Sequence, residues 1–200
     1  MKQRQVWRGS GVFFWIAAIL AVLAPLIAAA FSPLLAFRDP VYIVGGFAGI
    51  FGLGLLLIQP LLSGDYLHGI TPPRARRVHR WSGTALVAAV IVHVAALWIT
   101  SPPDMVDALT FTSPTPFSVW GVIAMWTIFA TFLLVLTRRR LKLPPNRWRA
   151  MHTALAAVIV GGTVAHALLI EGSMESMTKA ALCLAVVLVT LKVILDKRVW

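Results

Sequence analysis

From its N-terminus onward the chain alternates long apolar runs with short polar or proline-rich breaks. A helix crossing a hydrocarbon core of about 30 Å needs roughly 20 apolar residues. Six runs reach that length, over residues 12–31, 41–62, 81–100, 117–137, 151–170 and 177–195. The breaks carry turn chemistry: Ser32-Pro33, Asp39-Pro40, Thr71-Pro72-Pro73, Ser101-Pro102-Pro103 and Leu143-Pro144-Pro145. The pattern predicts an all-α integral membrane protein, a bundle of six transmembrane helices forming one domain over residues 1–200. The first run also has the look of a secretory signal, with Lys2, Arg4 and Arg8 ahead of it and Ala28-Ala29-Ala30 at its end. Its apolar stretch exceeds the about 7 to 15 residues of a signal core, so a retained helix is expected.

Composition agrees with the pattern. Of 200 residues 59% are hydrophobic and 12% charged, against about 25% charged in a soluble domain. The mean hydropathy is +0.84, and a water-soluble globule is excluded. The single cysteine, Cys183, excludes internal disulfides and any multi-cysteine zinc or iron–sulfur site within the chain. No Cys-x-x-Cys-His is present, so covalent c-type haem attachment is excluded too.

The net charge of +11 would point to nucleic acid in a soluble protein. In a membrane protein it reports orientation. Placing successive breaks on alternate sides puts 16 of the 18 Lys and Arg on one side. These are Lys2, Arg4, Arg8, Arg74, Arg76, Arg77, Arg80, Arg138, Arg139, Arg140, Lys142, Arg147, Arg149, Lys192, Lys197 and Arg198. The other side holds Arg38 and Lys179 with Asp39, Asp104, Asp107, Glu171 and Glu175. The positive-inside rule then places both termini in the cytoplasm, and the bases face lipid headgroups, with no nucleic-acid partner expected. Glycines 45, 46, 49, 52 and 54 in the second run give GxxxG spacing for close helix approach. No GxGxxG occurs there and no strand precedes it, so they are no nucleotide fingerprint.

Ionisable residues inside spans are functional candidates by default. His79 and His93 flank or enter the third span, and His152 and His166 the fifth, each pair 14 residues apart. Fourteen steps of about 100° end about 40° short of four turns, so each pair shares a helix face over a rise of about 21 Å. One span separates the third from the fifth, which therefore run parallel, and this sets His79 level with His152 and His93 level with His166. Opposed imidazoles suit the two axial positions of a haem iron. A single metal ion needs its ligands clustered, which two levels about 21 Å apart forbid. A proton relay and a non-haem metal at each level are the competing uses of the same residues. Gly83, one turn after His79, leaves room for a porphyrin. Arg80 and Arg147, with Arg76, Arg77 and Arg149, cluster near the basic-side histidines and suit haem propionates as well as topology. His68, in Asp65-Tyr66-Leu67-His68-Gly69, has no level partner and reads as a loop residue. Met151 and Cys183 read as packing, and Trp7, Trp81, Trp98, Trp120 and Trp148 as interfacial anchors.

Two stretches carry a family resemblance: His79-Arg80-Trp81-Ser82-Gly83 with His93, and Arg147-Trp148-Arg149-Ala150-Met151-His152 with His166. The chain resembles the ferric-reductase-like transmembrane domain, the six-helix b-haem core of ferric reductases and NADPH oxidases. It also resembles the haem-binding subunit of the bacterial periplasmic methionine-sulfoxide reductase system. The resemblance implies a bacterial inner-membrane oxidoreductase subunit with two b haems that moves electrons from a cytoplasmic donor to an acceptor or partner reductase outside. His79 with His152 and His93 with His166 would be the iron ligands. The short loops leave no room for a dinucleotide site, and the chain ends at Trp200 soon after the sixth run. The donor is therefore expected to be a separate flavin reductase or a membrane quinol, with a periplasmic redox partner on the other side. A transporter or proton channel using the histidines without haem is the alternative from another class; the inverted repeats and broken helices of transporters are not evident.

Overall fold

The structure, a computed structural model, describes residues 8–197. Lys2, Arg4, Trp7 and Arg198 lie outside the described residues. Seven α-helices and no strand are found among those described: α1 (Arg8–Ala30), α2 (Pro40–Ser63), α3 (Pro72–Thr100), α4 (Pro102–Leu109), α5 (Pro116–Leu141), α6 (Pro145–Leu169) and α7 (Ser176–Lys197). All but α4 are long and apolar enough to cross a membrane.

Five helices, α2 to α6, begin on a proline. Proline lacks the N–H that the first helical position leaves unbonded, and its ring fixes a helical φ. Crowding from that ring disfavours the helical conformation in the residue before it, and Asp39, Thr71 and Thr115 are extended accordingly. The proline clusters that read as breaks are thus helix starts. This shifts two boundaries: α3 opens at Pro72 and not at 81, and α6 at Pro145 and not at 151. Arg74, Arg76, Arg77, Arg80, Arg147 and Arg149 consequently stand on helical turns, all exposed. The short α4, between α3 and α5, was not expected; it buries Met105 and Ala108, the latter in one cluster with Val122 and Met125 of α5.

Two antiparallel hairpins, α2–α3 and α5–α6, form the framework, and α7 packs against α2 and α6 and so bridges them. Leu182, Cys183 and Val186 of α7 are almost wholly buried, in one core with Leu53, Leu57 and Leu61 of α2 and Ile159 and Val160 of α6. Lipid is as apolar as leucine, so helix association in a bilayer depends on close packing. Glycine supplies it in both hairpins. A Cβ on Gly45 would lie 2.8 Å from Ala96 Cβ, and one on Gly162 would lie 3.0 Å from the Trp120 carbonyl oxygen. α1 packs against α2 and α7, with Val22 against Gly54 and Trp15 Nε1 donating to the His68 carbonyl at 3.0 Å.

The basic end of the bundle carries Arg74 to Arg80 and Arg138 to Arg149, and the two bases of the far end are engaged locally. The Arg38 guanidinium lies 4.9 Å above the Tyr42 ring. Lys179 is not in a loop but in the first turn of α7, where its buried ammonium donates to the Ile170 carbonyl at the end of α6, 2.8 Å away. Glu175, just ahead of α7, accepts from the backbone N–H groups of Met177 and Thr178, both at 2.7 Å; these bonds hold its carboxyl below the usual carboxylate range. At the basic end the Tyr66 hydroxyl donates to Asp196, which also pairs with Lys192 at 3.0 Å. Burial, with the Asp196 bond and charge adding to it, pushes the Tyr66 phenol up to about 12.

Candidate functional site

Helix α3 carries His79 and His93, and α6 carries His152 and His166, one of each near the basic end. The structure brings them together in two pairs across the gap between the hairpins. The ring centres of His79 and His152 are 6.3 Å apart, and those of His93 and His166 are 6.4 Å apart. The rings of each pair are steeply inclined, by 66° and 79°. His68 is not part of this arrangement: it is exposed in the α2–α3 loop with its ring on Phe14.

Three of the four imidazoles are tied from behind. His93 Nδ1 bonds the Gly45 carbonyl at 2.7 Å, His166 Nδ1 the Phe117 carbonyl at 2.9 Å, and His79 Nδ1 the Gln59 carbonyl at 3.3 Å. A carbonyl only accepts, so Nδ1 carries the proton and the neutral ring's lone pair resides on Nε2. No hydrogen bond among the described residues engages Nε2 of any of the four. Glycines make the closest of these contacts feasible: a Cβ on Gly49 would lie 3.0 Å from His93 Nδ1, and one on Gly121 2.7 Å from His166 Nδ1.

The fourth histidine is held differently. His152 Nδ1 is buried without a hydrogen-bond partner. Its ring stacks on Trp148, four residues earlier on the same helix, with centres 5.3 Å apart and planes 16° from parallel. The Arg138 guanidinium of α5 lies over the same indole, 4.5 Å from the ring centre. Trp148, expected as an interfacial anchor, is therefore a direct neighbour of a site histidine. Arg80 and Arg147 are exposed at the same end. A Cβ on Gly83 would meet the Gln59 amide at 3.7 Å, an ordinary contact, and that amide donates to Ser82 Oγ at 2.8 Å.

An imidazole nitrogen binds a metal at about 2.0 Å and lies about 1.1 Å from its ring centre, so two rings on opposite sides of one ion have centres about 6.2 Å apart. Both observed separations match that spacing. No cluster of three or more His, Cys, Asp or Glu suited to a metal occurs among the described residues. The donor set thus fits a group that needs two axial nitrogens and brings its remaining ligands itself, as a porphyrin does. Residues 46–163 match the family described as ferric reductase like transmembrane component.

The chain belongs to this family. No curated protein and no solved structure matches it significantly. The ferric-reductase-like match suggests transmembrane electron transfer as its general activity. It spans His79, His93 and His152 and ends three residues before His166, whose place opposite His93 is seen only in the three-dimensional arrangement. Gly49, Gly121 and the Phe117 carbonyl were not expected at the site. One signal was available in the sequence: Gly45 and Gln59 of α2 are 14 residues apart, as are the histidines they meet.

Proposed function

We propose that this chain is a b-type haem subunit of a bacterial inner membrane that carries electrons across the bilayer. The whole of residues 1–200 would be one transmembrane haem-binding domain. His79 and His152 would hold one haem near the basic end, and His93 and His166 would hold a second. Transmembrane domains of this family commonly bind haem. The observation that carries the reading is the recurrence of one geometry at two levels: paired rings with centres 6.3 and 6.4 Å apart and Nε2 left without a hydrogen bond.

Haem would supply a one-electron couple at each level, the two standing about 21 Å apart along the helices. The protein's own part is placement and insulation. The backbone carbonyls of Gly45, Gln59 and Phe117 fix the tautomer and direction of three ligands, and such bonds raise imidazole basicity. Arg80 and Arg147 answer propionate charge at the basic end, and Gly83 leaves room beside His79. With two histidines of this chain holding each haem, the acceptor would take its electron without binding the metal, directly or through a partner protein. The positive-inside rule puts the basic end and both termini in the cytoplasm. A flavin reductase or a quinol is the donor on that side, and exposed arginines suit an acidic docking surface.

A reduced-minus-oxidised visible spectrum with haem quantitation tests the reading. Wild type is expected to give a low-spin, bis-histidine spectrum, and each single His→Ala variant about half the haem. A high-spin wild type, or unchanged haem in all four variants, contradicts it. Protein purified without haem from haem-sufficient cells would favour histidines acting as a relay in a transporter or proton channel.

A further inference from the structure

The four histidines meet their neighbouring helices in one register. Gly45 and Gln59, 14 residues apart on α2, offer carbonyls to His93 and His79 on the antiparallel α3. On α5 the Phe117 carbonyl meets His166; 14 residues further along, the same register brings Thr131 level with His152. Four residues after each of these positions, on the same helix face, stands a seat residue; the His93 and His166 rings lie against the backbone of theirs, and the other two follow from the register. These seats are Gly49, Ser63, Gly121 and Val135. The contacts lengthen along this series: 2.7 Å over Gly49, 2.9 Å over Gly121, and 3.3 Å where the register places Ser63. At the level of Val135 the His152 Nδ1 bonds nothing. At Gly49 and Gly121 bare backbone admits the ring, and a Cβ there would lie 3.0 and 2.7 Å from the histidine Nδ1.

We propose that the seat residue sets how firmly each imidazole is tied, and that Val135 leaves His152 untied, so the two haem levels have different potentials. The inference rests on the haem reading above. An imidazole whose Nδ1–H is bonded to a carbonyl is the more basic ligand and favours ferric iron. Two tied ligands at the far level therefore lower its potential relative to the basic-end level, which has one long bond and one untied ring. The Arg138 charge over Trp148 acts in the same direction, since a nearby cation disfavours the more positive ferric state.

The test is a potentiometric titration followed by visible spectra and by the low-spin ferric EPR signal. Val135→Gly is measured in the His93→Ala background, where only the basic-end level remains, and Gly121→Ala in the His152→Ala background, where only the far level remains. Val135→Gly is expected to shift the basic-end potential downward as His152 gains the Thr131 carbonyl. Gly121→Ala is expected to shift the far-level potential upward as the His166 bond lengthens. If Val135→Gly does not fold, the Gly121→Ala arm decides alone. Bis-histidine haem present at both levels, with neither substitution moving its own potential, overturns the seat inference and leaves the haem reading intact. A haem-free wild type overturns the haem reading and the seat inference with it.

Discussion

At the far level both imidazoles bond backbone carbonyls over glycines, at 2.7 and 2.9 Å. At the basic end His79 has a longer 3.3 Å contact, and His152 has no Nδ1 partner but lies against the face of Trp148. The same two hairpins thus support their histidines in two ways. One support is made by main chain and needs empty space at Gly49 and Gly121; the other is mixed, a longer main-chain contact at His79 and the Trp148 side chain at His152, beside exposed arginines. Main-chain support is fixed by helix packing, whereas side-chain support is replaceable one residue at a time. The difference teaches where each level is vulnerable.

The largest effect is expected where the two levels share a seam. Gly162→Leu drives a side chain into the Trp120 carbonyl and Ala124, 3.0 and 3.2 Å from where its Cβ would stand. Overpacking of this kind costs about 1–3 kcal/mol, and because α6 carries one histidine of each pair, both levels should lose haem together. Haem content and thermal unfolding in detergent check this; loss at one level only would contradict a shared seam.

A smaller and local effect is expected from Trp148→Ala. An aromatic contact is worth about 0.5–1.5 kcal/mol, so haem affinity at the basic-end level should fall about 2- to 10-fold, with the far level unchanged and with Trp148→Phe retaining most of it. Haem retention on dilution, resolved by the spectra of the two levels, measures it. Equal losses at both levels would erase the distinction between the two supports.

Much of this framework could be read from the chain. Six helices followed from apolar length, and the histidine pairing followed from a 14-residue spacing on two parallel spans. The starts of α3 and α6 were missed because an apolar window cannot see arginine-rich turns that continue a helix to its proline. Helix α4 was missed because eight residues with Asp104 and Asp107 resemble a loop in any membrane-length window. The seats were illegible for another reason: Gly121 matters through a ring on a different helix, and only the register of α5 against α6 reveals it. The Trp148 contact was legible too, since its four-residue spacing to His152 places both on one face.

The smallest effect concerns the basic end alone. With its phenol raised from 10.0 to about 12, folded Tyr66 favours the protonated form. Its contribution to stability is therefore complete below about pH 10 and is lost as pH rises through 12. The stability difference between wild type and Tyr66→Phe should shrink across that window while far-level haem is unaffected. A difference that stays constant would show that the Asp196 contact does not depend on the phenol's proton.

The central claim is that four histidines form two pairs at two levels, and paired double variants test it most directly. His79→Ala with His152→Ala removes one level and should leave about one haem per chain with a bis-histidine spectrum. His79→Ala with His93→Ala removes one ligand from each level and should leave no bis-histidine haem. A cross-level double variant that keeps such haem, or a same-level variant that loses all of it, would contradict the pairing.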